Sequence, residues 1–290
     1  MKKIYNIIMM VSVIIFSLSS CIKEGDLELD PVPEIGFTYT SEGLTLTFES
    51  TGEGISDISW TISDGGSGTG ESLEHTFDKP DSYWVSMTGT VHGEEQTVST
   101  KIIVAKAALV SMTDNSIADW DNVTYPDFQL AGGASIIKGK LDYDANYVYF
   151  YMELDGNVNP KATVTSHILS MAIDNDANLS TGLDFGGLGA EYSLEGQIYG
   201  GEVWTDFYNY TGGDWWENIT DPTFADGMTI GHSEVDGGVL KIEWAFSRKT
   251  FGINSTSFGL YWNVYDEDWA DADIMEYNGD SAILINMDKE

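Results

Sequence analysis

Tyr147-Val148-Tyr149-Phe150-Tyr151-Met152-Glu153-Leu154 alternates along its whole length. Val148, Phe150, Met152 and Leu154 fall on one face, and Tyr147, Tyr149, Tyr151 and Glu153 on the other. Successive strand side chains point to opposite faces, so this is a β-strand with one face in a core. The pattern recurs downstream. In residues 239–246, Leu240, Ile242, Trp244 and Phe246 face inward while Lys241 and Glu243 face out. In residues 258–265, Phe258, Leu260, Trp262 and Val264 face inward and Tyr261, Asn263 and Tyr265 out. Further strands are read at residues 135–141, 167–173, 191–198, 202–208, 228–232 and 282–286. About nine strands over ~180 residues predict a jelly-roll-like β-sandwich spanning residues 107–290.

The period also appears upstream, in Leu44-Thr45-Leu46-Thr47-Phe48, in Tyr83-Trp84-Val85-Ser86-Met87 and over residues 97–104, with turn signals such as Asp64-Gly65-Gly66 between them. A second, smaller sandwich is therefore expected over residues 34–105. The fold class is all-β, in two domains joined at residues 105–108.

Composition bounds the function. The chain has 290 residues and a formal net charge of −34, from 47 acidic and 13 basic residues. A nucleic-acid partner needs a basic face, so that class is set aside. Hydrophobic residues at 42% and aromatic residues at 12% are far above a disordered acidic tail. Cys21 is the one cysteine, which leaves no disulfide framework within the chain. It follows a basic start, Met1-Lys2-Lys3, and an apolar run over residues 7–18 that is too short to span a bilayer. Leu18-Ser19-Ser20-Cys21 resembles a bacterial lipobox, which implies a signal peptide over residues 1–20 and a lipidated Cys21. Ile22-Lys23-Glu24-Gly25-Asp26 resembles the export tag of Bacteroidetes surface lipoproteins. A linker over residues 21–33, ending in Pro31-Val32-Pro33, would lift the folded part off an outer membrane.

The first domain resembles the polycystic-kidney-disease (PKD) immunoglobulin-like domain. Ile58-Ser59-Trp60, Ser63-Asp64-Gly65-Gly66, His75-Thr76-Phe77 and Pro80-Asp81-Ser82-Tyr83-Trp84-Val85 carry the resemblance. Thr61-Ile62-Ser63 stands where that family has an aromatic-Gly pair, and Asp81 where it has Gly. The resemblance implies a spacer, with Trp60 and His75 read as core residues.

Out of the strand at 167–173 runs Asp174-Asn175-Asp176-Ala177-Asn178-Leu179-Ser180-Thr181-Gly182. Asp174, Asp176 and Asn178 supply oxygens at i, i+2 and i+4, and Asp184 and Glu191 lie close in sequence. Ca²⁺ takes six to eight oxygen ligands, so the set suits it. It is not an EF-hand, because Leu179 and Phe185 stand at positions six and twelve. A polar turn without metal is the alternative.

The second domain resembles carbohydrate-binding module family 9 and the wider DOMON-like group. The carrying residues are Asp119-Trp120, the run from Asp142 to Phe150, the Asp174–Gly182 loop, Gly189-Ala190-Glu191-Tyr192, Lys241-Ile242-Glu243-Trp244-Ala245-Phe246, and the run from Phe258 to Asp266. This resemblance implies a glycan-binding sandwich with structural Ca²⁺ at such a loop.

Sugars are held by aromatic rings stacked on their C–H faces and by amides and carboxylates on their hydroxyls. Trp215, Trp216 and Trp269 are the stacking candidates, with Tyr208, Asn263, Asp266 and Glu153 as hydrogen-bonding candidates. The histidines at 75, 92, 167 and 232 are scattered, and no nucleophile or nucleotide motif is present. No enzyme is therefore expected. Two other readings stay open: a haem pocket, as in some DOMON relatives, using Met152, Met171 or His167, and a structural or adhesive surface protein without a glycan pocket. The preferred expectation is a surface-anchored lipoprotein that binds polysaccharide non-catalytically, beside a glycan importer.

Overall fold

The structure is a computed structural model. It describes residues 35–124, 129–130, 135–155, 168–198, 204–266, 268–277 and 279–287. The signal peptide, Cys21, the proline-ended linker and His167 lie outside the described residues. Among the described residues no helix is long and apolar enough to cross a membrane.

The first sandwich has seven strands: β1 (Gly36–Glu42), β2 (Thr45–Thr51), β3 (Ser56–Ile62), β4 (Ser67–Thr69), β5 (Ser72–Thr76), β6 (Asp81–Val91) and β7 (Glu94–Val104). They form two antiparallel sheets, ordered β1-β2-β5 and β4-β3-β6-β7. Phe48, Trp60, Phe77, Val85 and Met87 fill the space between them. The Trp60 indole N–H donates to the Gly70 carbonyl at 2.9 Å, satisfying its one polar atom. His75 is not a core residue. It is half-buried at the rim, where its Nε2 lies 2.7 Å from Asp64 Oδ2 and braces the Asp64–Gly66 turn.

The second sandwich holds β8 (Gln129–Leu130), β9 (Ile136–Tyr143), β10 (Tyr147–Asp155), β11 (Ile168–Asp174), β12 (Leu183–Phe185), β13 (Leu188–Ala190), β14 (Tyr192–Gln197), β15 (Trp204–Asn209), β16 (Glu217–Asn218), β17 (Met228–Asp236), β18 (Val239–Ser247), β19 (Ser257–Tyr265), β20 (Asp271–Glu276) and β21 (Ile283–Asn286). One sheet runs β17-β18-β10-β9. The other runs β16-β15-β14-β11-β19-β20-β8, and β21 pairs with the other half of the β19 edge. β12 and β13 form a separate hairpin.

The inward faces of β10 and β18 meet those of β11, β14 and β19 in one core. At its centre Phe150 stacks on Trp244 at 5.4 Å, and Trp262 stands edge-on to both at 5.5 and 5.1 Å. Each fully buried large apolar side chain stabilises the fold by about 1.5–3 kcal/mol. Met152 and Met171 are packed inside this core.

The outer face of the four-stranded sheet differs from the alternation-based expectation. Glu243 reads as solvent-facing but is fully buried, and Tyr149 and Tyr151 are buried with it. The cause lies more than a hundred residues earlier in sequence. A segment with a 3₁₀ turn at Ala118–Asn122 lies across this face. Trp120 stacks on Tyr151 at 5.6 Å, and its indole N–H donates to Glu243 Oε2 at 2.7 Å. Lys140 Nζ donates to the carbonyls of Trp120 and Val123, at 2.7 and 2.9 Å. Asp142 accepts from Lys106 Nζ and from the Leu109 N–H. Three charged groups on the sheet therefore hold down one strap.

Burial pushes the Glu243 carboxyl above the usual carboxylate range, against the opposing pull of donors from the His232 N–H and Trp120. A raised native pKa means the folded state binds a proton the unfolded chain has released. This contribution to stability is lost as pH rises from the ordinary carboxylate value through the raised one. Trp120→Phe removes one of the two donors and leaves a buried acceptor unpaired, at a cost of about 1–3 kcal/mol. Urea unfolding should show a deficit that is larger at neutral than at acidic pH. An equal deficit at both would separate the indole from the carboxylate's ionisation.

Candidate functional site

Strand parity builds the site. β11, β14, β15 and β19 send Leu169, Met171, Leu194, Phe207, Trp262 and Val264 into the core. The intervening residues must therefore face outward. Register then sets the neighbours. Ser170 lies opposite Asn263 on one side and Glu195 on the other. Glu195 lies opposite Asp206, and Ser193 opposite Tyr208. The result is a polar floor on the outer face of the larger sheet, with Ser170, Ser193 and Asn263 nearly buried in it.

Aromatic residues rise at both ends of this floor. At one end Phe185, from the β12–β13 hairpin, meets Trp215 at 6.4 Å, Trp216 at 6.0 Å and Tyr261 at 5.4 Å. Trp215 is 65% exposed. At the other end Trp269 packs against Trp204 at 6.1 Å and Tyr265 at 5.8 Å, and is 50% exposed. A cavity of about 220 Å³ lies between Trp215, Trp216, Tyr208 and Tyr265, with Ser170, Phe185, Ser193 and Glu195 completing its wall and floor. Burial raises the Glu195 carboxyl, and Asp206 across the strand pair raises it further; a hydrogen bond from Tyr208 opposes both.

Trp269 sits at φ 60°, in the left-handed region. That conformation costs a bulky residue roughly 1–3 kcal/mol and persists only where its surroundings impose it. Asp266 imposes it. Its buried Oδ1 accepts from the N–H groups of Asp268 and Ala270, each at 2.9 Å, and the Trp269 N–H donates to the Asp266 carbonyl at 3.1 Å.

The structure thus brings Trp215, Trp216, Tyr208 and Asn263 to one face, with Trp269 beyond Tyr265. Two expected residues are placed differently. Asp266 spends Oδ1 on the frame of the Trp269 loop. Glu153 lies on the outer face of the other sheet, where it accepts from the Tyr151 hydroxyl at 2.8 Å and lines a cleft with Lys138 and Lys241. Trp215 and Trp216 lie in a loop just before β16 and line the same cavity. Sequence reasoning left out Phe185, Ser193, Glu195 and Tyr261. Outward parity in β14 was a usable signal for Glu195; the hairpin that delivers Phe185 carried none.

The acidic loop after β11 forms a compact carboxylate group. Oxygens of Asp174, Asp176 and Glu191 lie within 4.8 Å of one another. Asp174 Oδ1 accepts from the Asn178 N–H at 3.2 Å, and Glu191 Oε2 from the Asn175 N–H at 3.0 Å. Asp174 Oδ2 and Glu191 Oε1 are buried with no hydrogen-bond partner. Burial raises both carboxyls above their ordinary values. Unpartnered buried carboxylate oxygens are costly unless a cation meets them. An all-oxygen donor set fits a hard ion such as Ca²⁺. Asp184 does not join the group. It stands exposed opposite Gly189 in the β12–β13 hairpin. The Asn178 side-chain oxygen is engaged by the Ser180 N–H at 3.1 Å.

Residues 32–104 match the PKD domain family. Among solved structures, the PKD1 domain of Vibrio anguillarum Epp is 20% identical, over 26% of this chain and 94% of that one, with a TM-score of 0.23. The PKD1 domain of the Vibrio cholerae metalloprotease PrtV is 25% identical, over 26% and 98%, with a TM-score of 0.23. A structure described as a carbohydrate-binding module of the β-sandwich superfamily is 16% identical, over 85% and 99%, with a TM-score of 0.26. TM-scores this low carry no functional inference. No curated protein matches the chain.

The acidic loop closes tightly over β13. A Cβ on Gly189 would fall inside van der Waals contact of the carbonyls of Thr181 and Asn178. Gly189→Ala is therefore expected to cost on the order of 1–3 kcal/mol through overpacking, read as a lowered Tm. An unchanged Tm would show that the loop gives way freely.

Proposed function

We propose that this protein binds polysaccharide without cleaving it, on the outer face of the larger sheet. The observation that carries the reading is the pairing of exposed Trp215 and Trp269 with a buried polar floor between them. Large exposed aromatic rings beside satisfied hydroxyl and amide groups match the two faces of a sugar, one apolar and one polar. Exposed apolar patches rimmed by polar residues mark ligand-binding grooves among other interaction sites.

The wider setting is part of the same proposal. The lipobox-like Leu18–Cys21 run supports lipid anchoring at a bacterial outer membrane, and the PKD-like sandwich would serve as a stalk. The ordered motifs from Asp119 to Asp266 support a module of the family 9 or DOMON-like kind. Anchored copies on one surface gain avidity, so a weak single site suffices to hold a polymer near an importer and its hydrolases. Asp174, Asp176 and Glu191 would hold a structural Ca²⁺, supported by their two unpartnered buried oxygens.

Affinity electrophoresis of the full-length protein in mild detergent, against a panel of soluble polysaccharides, tests the binding reading. Retardation by at least one polysaccharide is expected, weakened about tenfold by Trp215→Ala, since a stacked ring contributes roughly 1–2 kcal/mol. No retardation by any polysaccharide would favour a spacer or adhesive role. For the ion, Ca²⁺ should raise the Tm at neutral pH and EDTA should lower it. The effect should fade at acidic pH, where the ligands are protonated. A Tm indifferent to Ca²⁺ would leave the loop a plain polar turn.

A further inference from the structure

The cavity beside Trp215 and Trp216 has a chemical asymmetry. Its floor is Glu195, and among the described residues no lysine or arginine lines it. Glu195 stands directly opposite Asp206 in the β14–β15 pair. Like charges directly opposite each other on a sheet are destabilising. No basic side chain among the described lining residues offsets that repulsion; the Tyr208 hydroxyl hydrogen-bonds Glu195, and the Ser170, Ser193 and Tyr265 hydroxyls also line the cavity. The walls are aromatic, and the faces of Trp and Tyr rings attract cations through their quadrupoles. Carboxylate below and rings around are together the surroundings in which an ammonium group is held. The net charge of −34 adds a long-range field of the same preference.

Resting on the glycan-binding reading above, we propose that this cavity selects a sugar unit bearing a free, protonated amine. The ammonium donates to Glu195 and the neighbouring hydroxyls, using three donors against acceptors already in place. The ring of the sugar lies against Trp215 or Trp216. A uronic acid meets Glu195 and Asp206 with a charge of the same sign and is rejected. An N-acetylated or neutral sugar can stack, but leaves the carboxylate pair uncompensated.

About 220 Å³ is the scale of a single sugar unit, so single sugars suffice as probes. The quenching of intrinsic tryptophan fluorescence in the full-length protein in mild detergent is titrated with glucosamine, galactosamine, their N-acetyl forms, glucose, glucuronic acid and lysine. The amino sugars should bind roughly tenfold tighter than their N-acetyl forms, the size expected of a charge-assisted contact with cation–π support. Glu195→Gln should bring that ratio close to one, and Asp206→Asn should reduce it. Equal or tighter binding of N-acetyl, neutral or uronic sugars overturns the proposal, as does binding of none of them. Lysine binding as tightly as glucosamine overturns the sugar part and leaves a plain amine site. A polysaccharide retained on the gel with no amine preference in this titration refutes the amine inference alone; the glycan reading fails only if no polysaccharide is retained.

Discussion

The contact among Phe150, Trp244 and Trp262 commits one face of β10, β18 and β19 to the core. Everything else in the second sandwich follows from that commitment. A strand whose odd residues are buried must present its even residues elsewhere, and a one-residue slip would exchange the two sets. Ser170, Ser193, Glu195, Tyr208 and Asn263 are thus assembled by the same register that buries Leu169, Met171, Leu194 and Phe207. Core and outer floor are two sides of one constraint.

The strands were legible in the sequence because period 2 is a local signal. The run at 147–154 shows it without help from any neighbour, and so do those at 239–246 and 258–265. What covers a strand's outer face is not local. Glu243 sits in a strand that reads as half exposed, yet Trp120 lies over it from more than a hundred residues away. The same limit explains the candidate site. Trp215 and Trp269 stood out because a tryptophan outside a periodic pattern has no core to join. Glu153 was grouped with them by residue type alone, and only the strand order shows that it belongs to the opposite sheet. Asp184 was attached to the carboxylate group by closeness in sequence, while the hairpin register turns it to solvent. His75 read as core because its PKD-like setting suggested it, yet one hydrogen bond to Asp64 holds it at the rim.

Charge in this protein is arranged at two levels. Over the whole surface it is strongly negative. Within the second sandwich two basic groups are used for structure. Lys140 ties the strap to its sheet. Arg248, nearly fully buried, donates to the carbonyls of Asp144 and Ser255 at 2.8 Å each, and burial pulls it down to about 10. Cations spent on backbone carbonyls are not available to neutralise the outer floor, which keeps its acidic character.

On one side the larger sheet ends in a strand of two residues, Glu217–Asn218. A sheet edge is a row of unpaired N–H and C=O groups, and its danger grows with its length. An edge this short gives an incoming strand almost nothing to pair with. On the smaller sheet, β17 breaks register between Ile230 and Ser233, which interrupts that edge as well. A wide, flat, aromatic-bearing sheet would otherwise be a template for self-association. A two-residue border and a broken register leave an incoming strand little continuous backbone to extend.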